Sequence, residues 1–400
     1  MSAQPDATSR RLHYWDFSRA LYLGLGIPFH AAVIYSLSHQ WSVSSPDKSV
    51  LLTGLADFIH TFRMPGFFIL AGLFSMMLLD RQGAWPWLKS RLLRLGLPLL
   101  SATLLILPFQ IAVQSLALAV QGKIVLADVP AHVAAQLSHF GEPWISHLWF
   151  LWVLIAYCAA LALLDWLSGR VSLRVRLESL VDWVGDNRVL SLAAFAAICQ
   201  LAAQAQTVIV GASPYYGNAV INYNLYVIFF GFGALVYASS RLHDLLLKPG
   251  VGSLVAGIAL VTFSQTAHAD LVTHTLKLIA AVIGAALIVG FISNMAQQHF
   301  SRPDARVRKL VDASFTIYLV HHPVIYVLAT LFLMVDLPPV LEFAIIAPMA
   351  ALMSYAIHQA LSTNAIFLLM FNGVRPKAAR TGPTASPGRP LAARLARPGR

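Results

Sequence analysis

Five histidines and one arginine stand inside long apolar runs, where a polar side chain loses its water and gains nothing from hydrocarbon. His30 lies in LGLGIPFHAAVIYSLSHQW (residues 23–41), and His60 with Arg63 in DFIHTFRMPGFF (57–68). His147 lies in ISHLWFL (145–151), and His321 with His322 in TIYLVHHPVIY (316–326). An imidazole withdrawn from water is poised near neutral pH to take a proton, and a guanidinium beside it can hold an anion or a developing oxyanion. Arg19 stands eleven residues before His30; eleven steps of about 100° return to within about 20° of the start, so both project from one helix face. A fixed cation at one end of a face and a titratable base at the other suits a substrate that enters carrying negative charge. A lone membrane histidine also serves simply to tie two helices together, and for His60 or His147 alone that reading stands level with a functional one. Asp16 and Arg19 have the alternative of an interfacial place at a helix end. His30, Arg63 and the His321–His322 pair taken together favour a site.

The elements that must hold these groups are membrane helices. Of 400 residues, 58% are hydrophobic and only 11% charged, against about a quarter charged in soluble domains; the mean hydropathy is +0.69. About ten apolar segments are long enough for a hydrocarbon core of roughly 30 Å: 14–38, 56–79, 92–120, 145–167, 189–210, 220–239, 251–267, 272–293, 311–335 and 340–371. Barrel strands would be shorter and alternating. The expected fold class is therefore all-α, a polytopic membrane bundle of about ten transmembrane helices over residues 1–372, followed by a disordered basic cytoplasmic tail over 373–400.

Of the 28 Lys and Arg, 24 fall on one side of this topology, Lys48 and Lys123 on the other, and Arg63 and Lys277 within the membrane. Both termini are accordingly expected in the cytoplasm. Topology accounts for the net charge of +11, so no nucleic-acid partner is expected, whereas the lipid bilayer is. The apolar run after Arg10 and Arg11 is interrupted by Asp16 and Arg19 and does not read as a cleaved signal. Cys158 and Cys199 lie in apolar runs and form no disulfide framework; no zinc-ligand spacing occurs, so no metal is expected. Gly24-x-Gly26 follows no strand and reads as close helix packing, not a nucleotide fingerprint.

This topology brings the polar groups to similar depth. His30 is about thirteen residues past Phe17, roughly 20 Å from the cytoplasmic boundary at 1.5 Å per residue. Asp57, His60 and Arg63 fall in the outer third of the second segment, and His147 and Trp149 at the outer end of the fourth. Tyr318, His321 and His322 fall in the middle of the ninth. Pro28, Pro65 and Pro323 stand within two residues of His30, Arg63 and His322, and each is expected to kink its helix. Irregular backbone at membrane depth goes with a cavity, so a polar cavity in the outer half, reachable from both faces, is expected. The outer segment SPYYGNAVINYNLY (213–226), with Tyr215, Tyr216 and Tyr223, reads as an aromatic interfacial belt or as a platform for a glycan.

At these same residues the chain resembles the membrane acyltransferase-3 family. The family's Arg, ten residues and His are met by Arg19 and His30 in DFSRALYLGLGIPFH (16–30). DFIHTFRMPGFF, ISHLWFL and ASFTIYLVHHP (313–323) match the members that succinylate periplasmic glucans, and the resemblance covers about 14–371. Where many members have Ser-Gly after the double Phe, this chain has Ala71-Gly72, and no polar role falls there. The resemblance implies acyl-CoA, first of all succinyl-CoA, as cytoplasmic donor, and a periplasmic β-glucan hydroxyl as acceptor. It also implies a bacterial inner membrane, no tightly bound cofactor, and company with the glucan synthesis machinery.

For that reaction His30 is the expected base, with a covalent acyl-histidine as the open alternative. Arg63, His321 or His322 is expected to serve the oxyanion, and Arg63 is the favoured reader of the succinyl carboxylate. Arg19 and Tyr318 are expected toward the acyl-CoA, and Asp57, His60, His147, Trp149 and Tyr223 in support or on the acceptor side. Two other functions stay open at this point. One is an O-acetyltransferase acting on another surface polysaccharide. The other is a membrane transporter, which an inverted repeat would favour; none is visible between 14–180 and 189–371.

Overall fold

In a bilayer every backbone N–H and C=O has to be satisfied inside its own segment, and the apolar runs accordingly wind into helices. The computed structural model describes residues 13–39, 41–139, 142–169, 188–210, 217–266 and 270–373, with 178 and 181, and no strand occurs among them. The helices are α1 (His13–Gly24), α2 (Gly26–Val33), α3 (Val50–Gln82), α4 (Ala84–Arg91), α5 (Leu97–Leu105), α6 (Leu107–Val120), α7 (Val129–Ser138), α8 (Glu142–Ile145) and α9 (Trp149–Ser168). They continue as α10 (Arg188–Val210), α11 (Gly217–Ala238), α12 (Ser240–Leu247), α13 (Val251–Ser264), α14 (Leu271–Phe300), α15 (Ala305–Phe332), α16 (Pro339–Ser362) and α17 (Ala365–Asn372). The basic stretch 374–400 lies outside the described residues.

The chain is an all-α membrane bundle, as its composition requires. Among the described residues five helices are long and apolar enough to cross a membrane: α3, Ser146–Ser168, Val272–Phe300, α15 and α16. Counting each bent pair as one span raises this to seven, Ala84–Leu105 with Leu107–Val120 (41°) and Ser240–Leu247 with Val251–Ser264 (83°). The expected count of ten is not reached by this measure. Segment 14–38 is divided at Leu25 into two short helices, and Val189–Ala202 and Tyr226–Ala238 are short apolar stretches.

Proline explains part of this and not all. Pro28 has no N–H to give the Gly24 carbonyl, and the first helix loosens at Leu25, although Phe29 N–H still donates to Leu25 O at 3.3 Å. At Pro65 and Pro323 the helix is unbroken: α3 and α15 run through them. Both helices are mostly buried, and packing on each side of the lost hydrogen bond supports the helix through it. Bends of 41° and 83° at breaks between helices fall beside Pro108 and Pro249.

At the centre α3 crosses α11 with the backbones touching. A Cβ on Gly72 would lie 1.8 Å from Phe230 O, and one on Gly233 1.8 Å from Ile69 O, so only glycine permits this approach. Phe68 stacks on Tyr226 at 4.9 Å between ring centroids, fixing the rotation of α3 about its axis. α15 begins at Asp304, whose carboxylate accepts from the N–H groups of Arg306 (2.6 Å) and Val307 (3.0 Å). Those two donors hold its carboxyl below the usual carboxylate range.

Candidate active site

Four helical stripes converge on one line through the bundle. The first segment sends Arg19, Leu23, Gly26 and His30, and α3 sends His60, Arg63, Phe67, Ala71 and Phe74. His147 stands just before α9, which sends Phe150, Leu154 and Cys158, while α15 sends Ser314, Tyr318, His321 and His322. Each set is spaced by three, four, seven or eleven residues, apart from the adjacent pair His321 and His322, so each occupies one side of its helix.

At the arginine-rich end these stripes, with α4 and the turn after it, enclose a cavity of about 310 Å³. Arg19, Arg91 and Arg94 line it, together with Ser75, Cys158 and the rings of Phe67, Phe74, Phe150 and Phe315. Its one lining carboxylate among the described residues, Asp312, lies 3.8 Å from Arg308, and Arg19 lies 3.5 Å from Asp16. Three guanidiniums over an aromatic wall suit a large polyanion with an apolar arm. The inner wall ends at Leu23, Phe67 and Phe150, each about one turn of helix from Gly26, Arg63 or His147.

Beyond that wall the histidines meet. The ring centroid of His30 lies 4.7 Å from His322 and 5.4 Å from His321, and His147 stacks on His322 at 4.5 Å. Carbonyl oxygens can only accept, and that sets the tautomers. His321 Nδ1–H donates to Tyr318 O at 2.7 Å, leaving Nε2 with its lone pair; His147 Nε2–H donates to Leu319 O at 3.0 Å, leaving Nδ1 with its own. Both of those remaining nitrogens, and Arg63 Nε, are buried without a hydrogen-bond partner. A cluster of unmet polar atoms inside a membrane helix bundle is costly, and it marks where a ligand's groups would go.

Arg63 is buried, with its guanidinium carbon 4.8 Å from the centroid of the Phe29 ring. No carboxylate among the described residues pairs with it. Gly26 makes room for it: a Cβ there would lie 2.8 Å from Arg63 Nη1 and 3.2 Å from His321 Nε2. The close packing expected at the glycine pair is thus made by Gly26 against two site side chains, while Gly24 has nothing within 4 Å.

The other expected site residues fall as follows. Tyr318 stands between cavity and histidines, its hydroxyl donating to His147 O at 2.6 Å and its ring 5.5 Å from Phe150. His60 is exposed at the far edge and stacks on Phe29 at 5.3 Å. Asp57 is not tied to Arg63; six residues apart on α3, they point about 120° apart, and Asp57 meets His39 Nε2 at 2.8 Å. Trp149 is set apart from the histidines and packs on Tyr226 (5.7 Å) and Phe68 (6.4 Å). Tyr215, Tyr216 and the side chain of Tyr223 lie outside the described residues.

Sequence reasoning missed Trp41, which stacks on His30 (5.7 Å) and Tyr326 (4.4 Å), and His39, the partner of Asp57. Both sit in a polar loop with no helical period to mark them. Arg91 and Arg94 were counted only as topogenic charge. Gln110, which meets His322, was also missed, although Pro108 two residues before it repeats the proline-beside-polar pattern of the other segments.

A family model described as an acyltransferase domain matches residues 12–359. Among similar proteins are those called glucans biosynthesis protein C in Escherichia coli. The one from strain O81 (ED1a) is 32% identical over 336 residues, 79% of this chain and 82% of the relative. The one from O6:K15:H31 (536) is 32% identical over 332 residues with the same shares, and that of K12 is 32% identical over 336. No solved structure matches.

Proposed function

The chain belongs to the membrane acyltransferase-3 family, and from that premise we propose that it moves a succinyl group from cytoplasmic succinyl-CoA to hydroxyls of a periplasmic β-glucan. The observation that carries this reading is the stacking of two chemistries on one axis. A three-arginine cavity suited to the phosphates and arm of acyl-CoA stands one helical turn below four imidazoles and a guanidinium. The relatives' name supplies the glucan.

In this mechanism Arg19, Arg91 and Arg94 hold the donor's phosphates, and its acyl arm passes Phe67, Phe150 and Tyr318 to reach Arg63. His30 takes the proton of the sugar hydroxyl as the hydroxyl oxygen bonds to the thioester carbon. Arg63 and the imidazolium formed on His30 stabilise the tetrahedral oxyanion. Collapse breaks the C–S bond, and the thiolate leaves with the proton. Asp57, His39 and His60 face the acceptor. No tightly bound cofactor takes part, and the glucan synthesis machinery is the natural neighbour.

The test is transfer of radiolabel from succinyl-CoA or acetyl-CoA to β-glucan by the purified protein. Wild type is expected to transfer succinyl in preference. Arg91→Gln with Arg94→Gln is expected to raise KM for the donor about tenfold, the scale of one lost charged hydrogen bond, with kcat little changed. No transfer from either donor would overturn the reading.

The orientation belongs to the same proposal. With 24 of 28 cationic residues on one side, both termini lie in the cytoplasm of the inner membrane. A C-terminal fusion is expected to be active with a cytoplasmic reporter and silent with a periplasmic one; the reverse would invert donor and acceptor sides.

A further inference from the structure

We propose that Gln110 is a positioning residue of this site: its buried amide, held on its other side by Ser146, decides which ring nitrogen of His322 carries hydrogen. The inference rests on reading the site as an acyl-transfer centre. Gln110 is fully buried in α6, just past the 41° break that follows Leu105. Its Oε1 lies 3.0 Å from His322 Nδ1, and its Nε2 donates to Ser146 Oγ at 2.7 Å. A glutamine at membrane depth is expensive unless both ends of the amide are used, and here both are.

The residue that holds the amide is itself unusual. Ser146 is the one non-glycine position with positive φ among the described residues, at 40°. A serine there is disfavoured, and such positions persist where the surroundings demand them. What the turn achieves is double. It sets the Ser146 hydroxyl on Gln110, and it sets the next residue, His147, in a stack on His322.

The chemistry follows from the donors. An amide oxygen only accepts, so His322 Nδ1 donates and Nε2 keeps a lone pair in the neutral ring. The reverse orientation of the amide, with the Ser146 hydroxyl donating to it instead, would impose the other tautomer, so the tautomer of His322 follows the orientation of the Gln110 amide. His322 is in edge contact with His30 and Tyr326, and the charged or titratable groups around it are His30, His147, His321, Tyr326 and Arg63. When this cluster takes up the sugar proton, the Nδ1–H···Oε1 bond strengthens, because a charged donor binds an acceptor about twice as well. Gln110 thus orients a histidine as the third member of a nucleophile–base–orienter set does, with a neutral amide in place of a carboxylate.

Two variants of the full-length protein test this through kcat, KM for succinyl-CoA and the pH–rate profile. Gln110→Leu is expected to lower kcat about tenfold or more, to leave KM within about twofold, and to move the acidic limb to lower pH, since the protonated cluster loses its acceptor. Gln110→Glu keeps the shape and offers a carboxylate to Nδ1, and the acidic limb is expected to move up by about one pH unit. A purely packing role would lower activity in Gln110→Leu without moving its acidic limb, and that result, or wild-type kinetics in both variants, overturns the inference. If the leucine variant does not fold, Gln110→Met, uncharged and close to glutamine in length, takes its place in the same measurement. A wild type without acyl transfer overturns the functional reading itself, and the inference with it; an active wild type with unmoved limbs overturns only the inference.

Discussion

His30→Ala is expected to lower acyl transfer by at least about a hundredfold while the protein still inserts and stays folded. Removing a general base costs about 10² to 10⁴ in rate. Little stability should go with it. His30 is only partly buried and makes no hydrogen bond with a described residue; its neighbours are the rings of His322, His321, Phe29 and Trp41. His147, His321 and His322 are different, because each holds a carbonyl or an amide of another turn or helix and its loss would disturb the site's geometry as well. The measurement is radiolabelled succinyl transfer by purified His30→Ala, alongside its elution profile and thermal transition. A folded variant that keeps more than about a tenth of wild-type kcat would remove His30 as the base and leave Nε2 of His321 as the next lone pair in reach.

The second large effect concerns which acyl group is used. Arg63→Met is expected to lower the ratio of succinyl to acetyl transfer about 10- to 100-fold, the equivalent of the roughly 1.5–3 kcal/mol in a hydrogen-bonded charge pair. The site contains a buried cation with no carboxylate of its own among the described residues, Asp57 being turned away and engaged by His39. A guanidinium left so is costly, by several kcal/mol when unpaired, so its anion is expected to arrive with the substrate. A succinyl group brings one on the acyl chain itself, whereas an acetyl group brings only the oxyanion of the transition state. Arg63→Lys keeps charge but loses the planar fork and should fall between wild type and Arg63→Met. Equal losses for both donors, with the ratio unchanged, would assign Arg63 to the oxyanion alone and leave acyl choice to some other group.

Composition and period carried most of the architecture. An apolar, charge-poor chain with long unalternating runs satisfies its backbone in a bilayer as helices, and the 3.6-residue period puts Arg19 with His30 on one face. The same period places Arg63 with Phe67 and His147 with Phe150. What periodicity cannot supply is the pairing of faces between helices. Asp57 and Arg63 share a helix and look like partners in a linear reading, yet their 120° separation sends one to His39 and the other to Gly26 and His321. Proline alone does not mark where a helix ends. Pro65 and Pro323 each remove one hydrogen bond, yet their helices continue past them, whereas the chain breaks beside Pro108 and Pro249. Helix bends and loop placement were decided in the assembled bundle. The break beside Pro108 aims Gln110 at His322, and the loop after α2 lays Trp41 over His30. Neither residue carries a local signal of its role, because each acquires it from a neighbour distant in sequence, Gln110 standing 212 residues from His322.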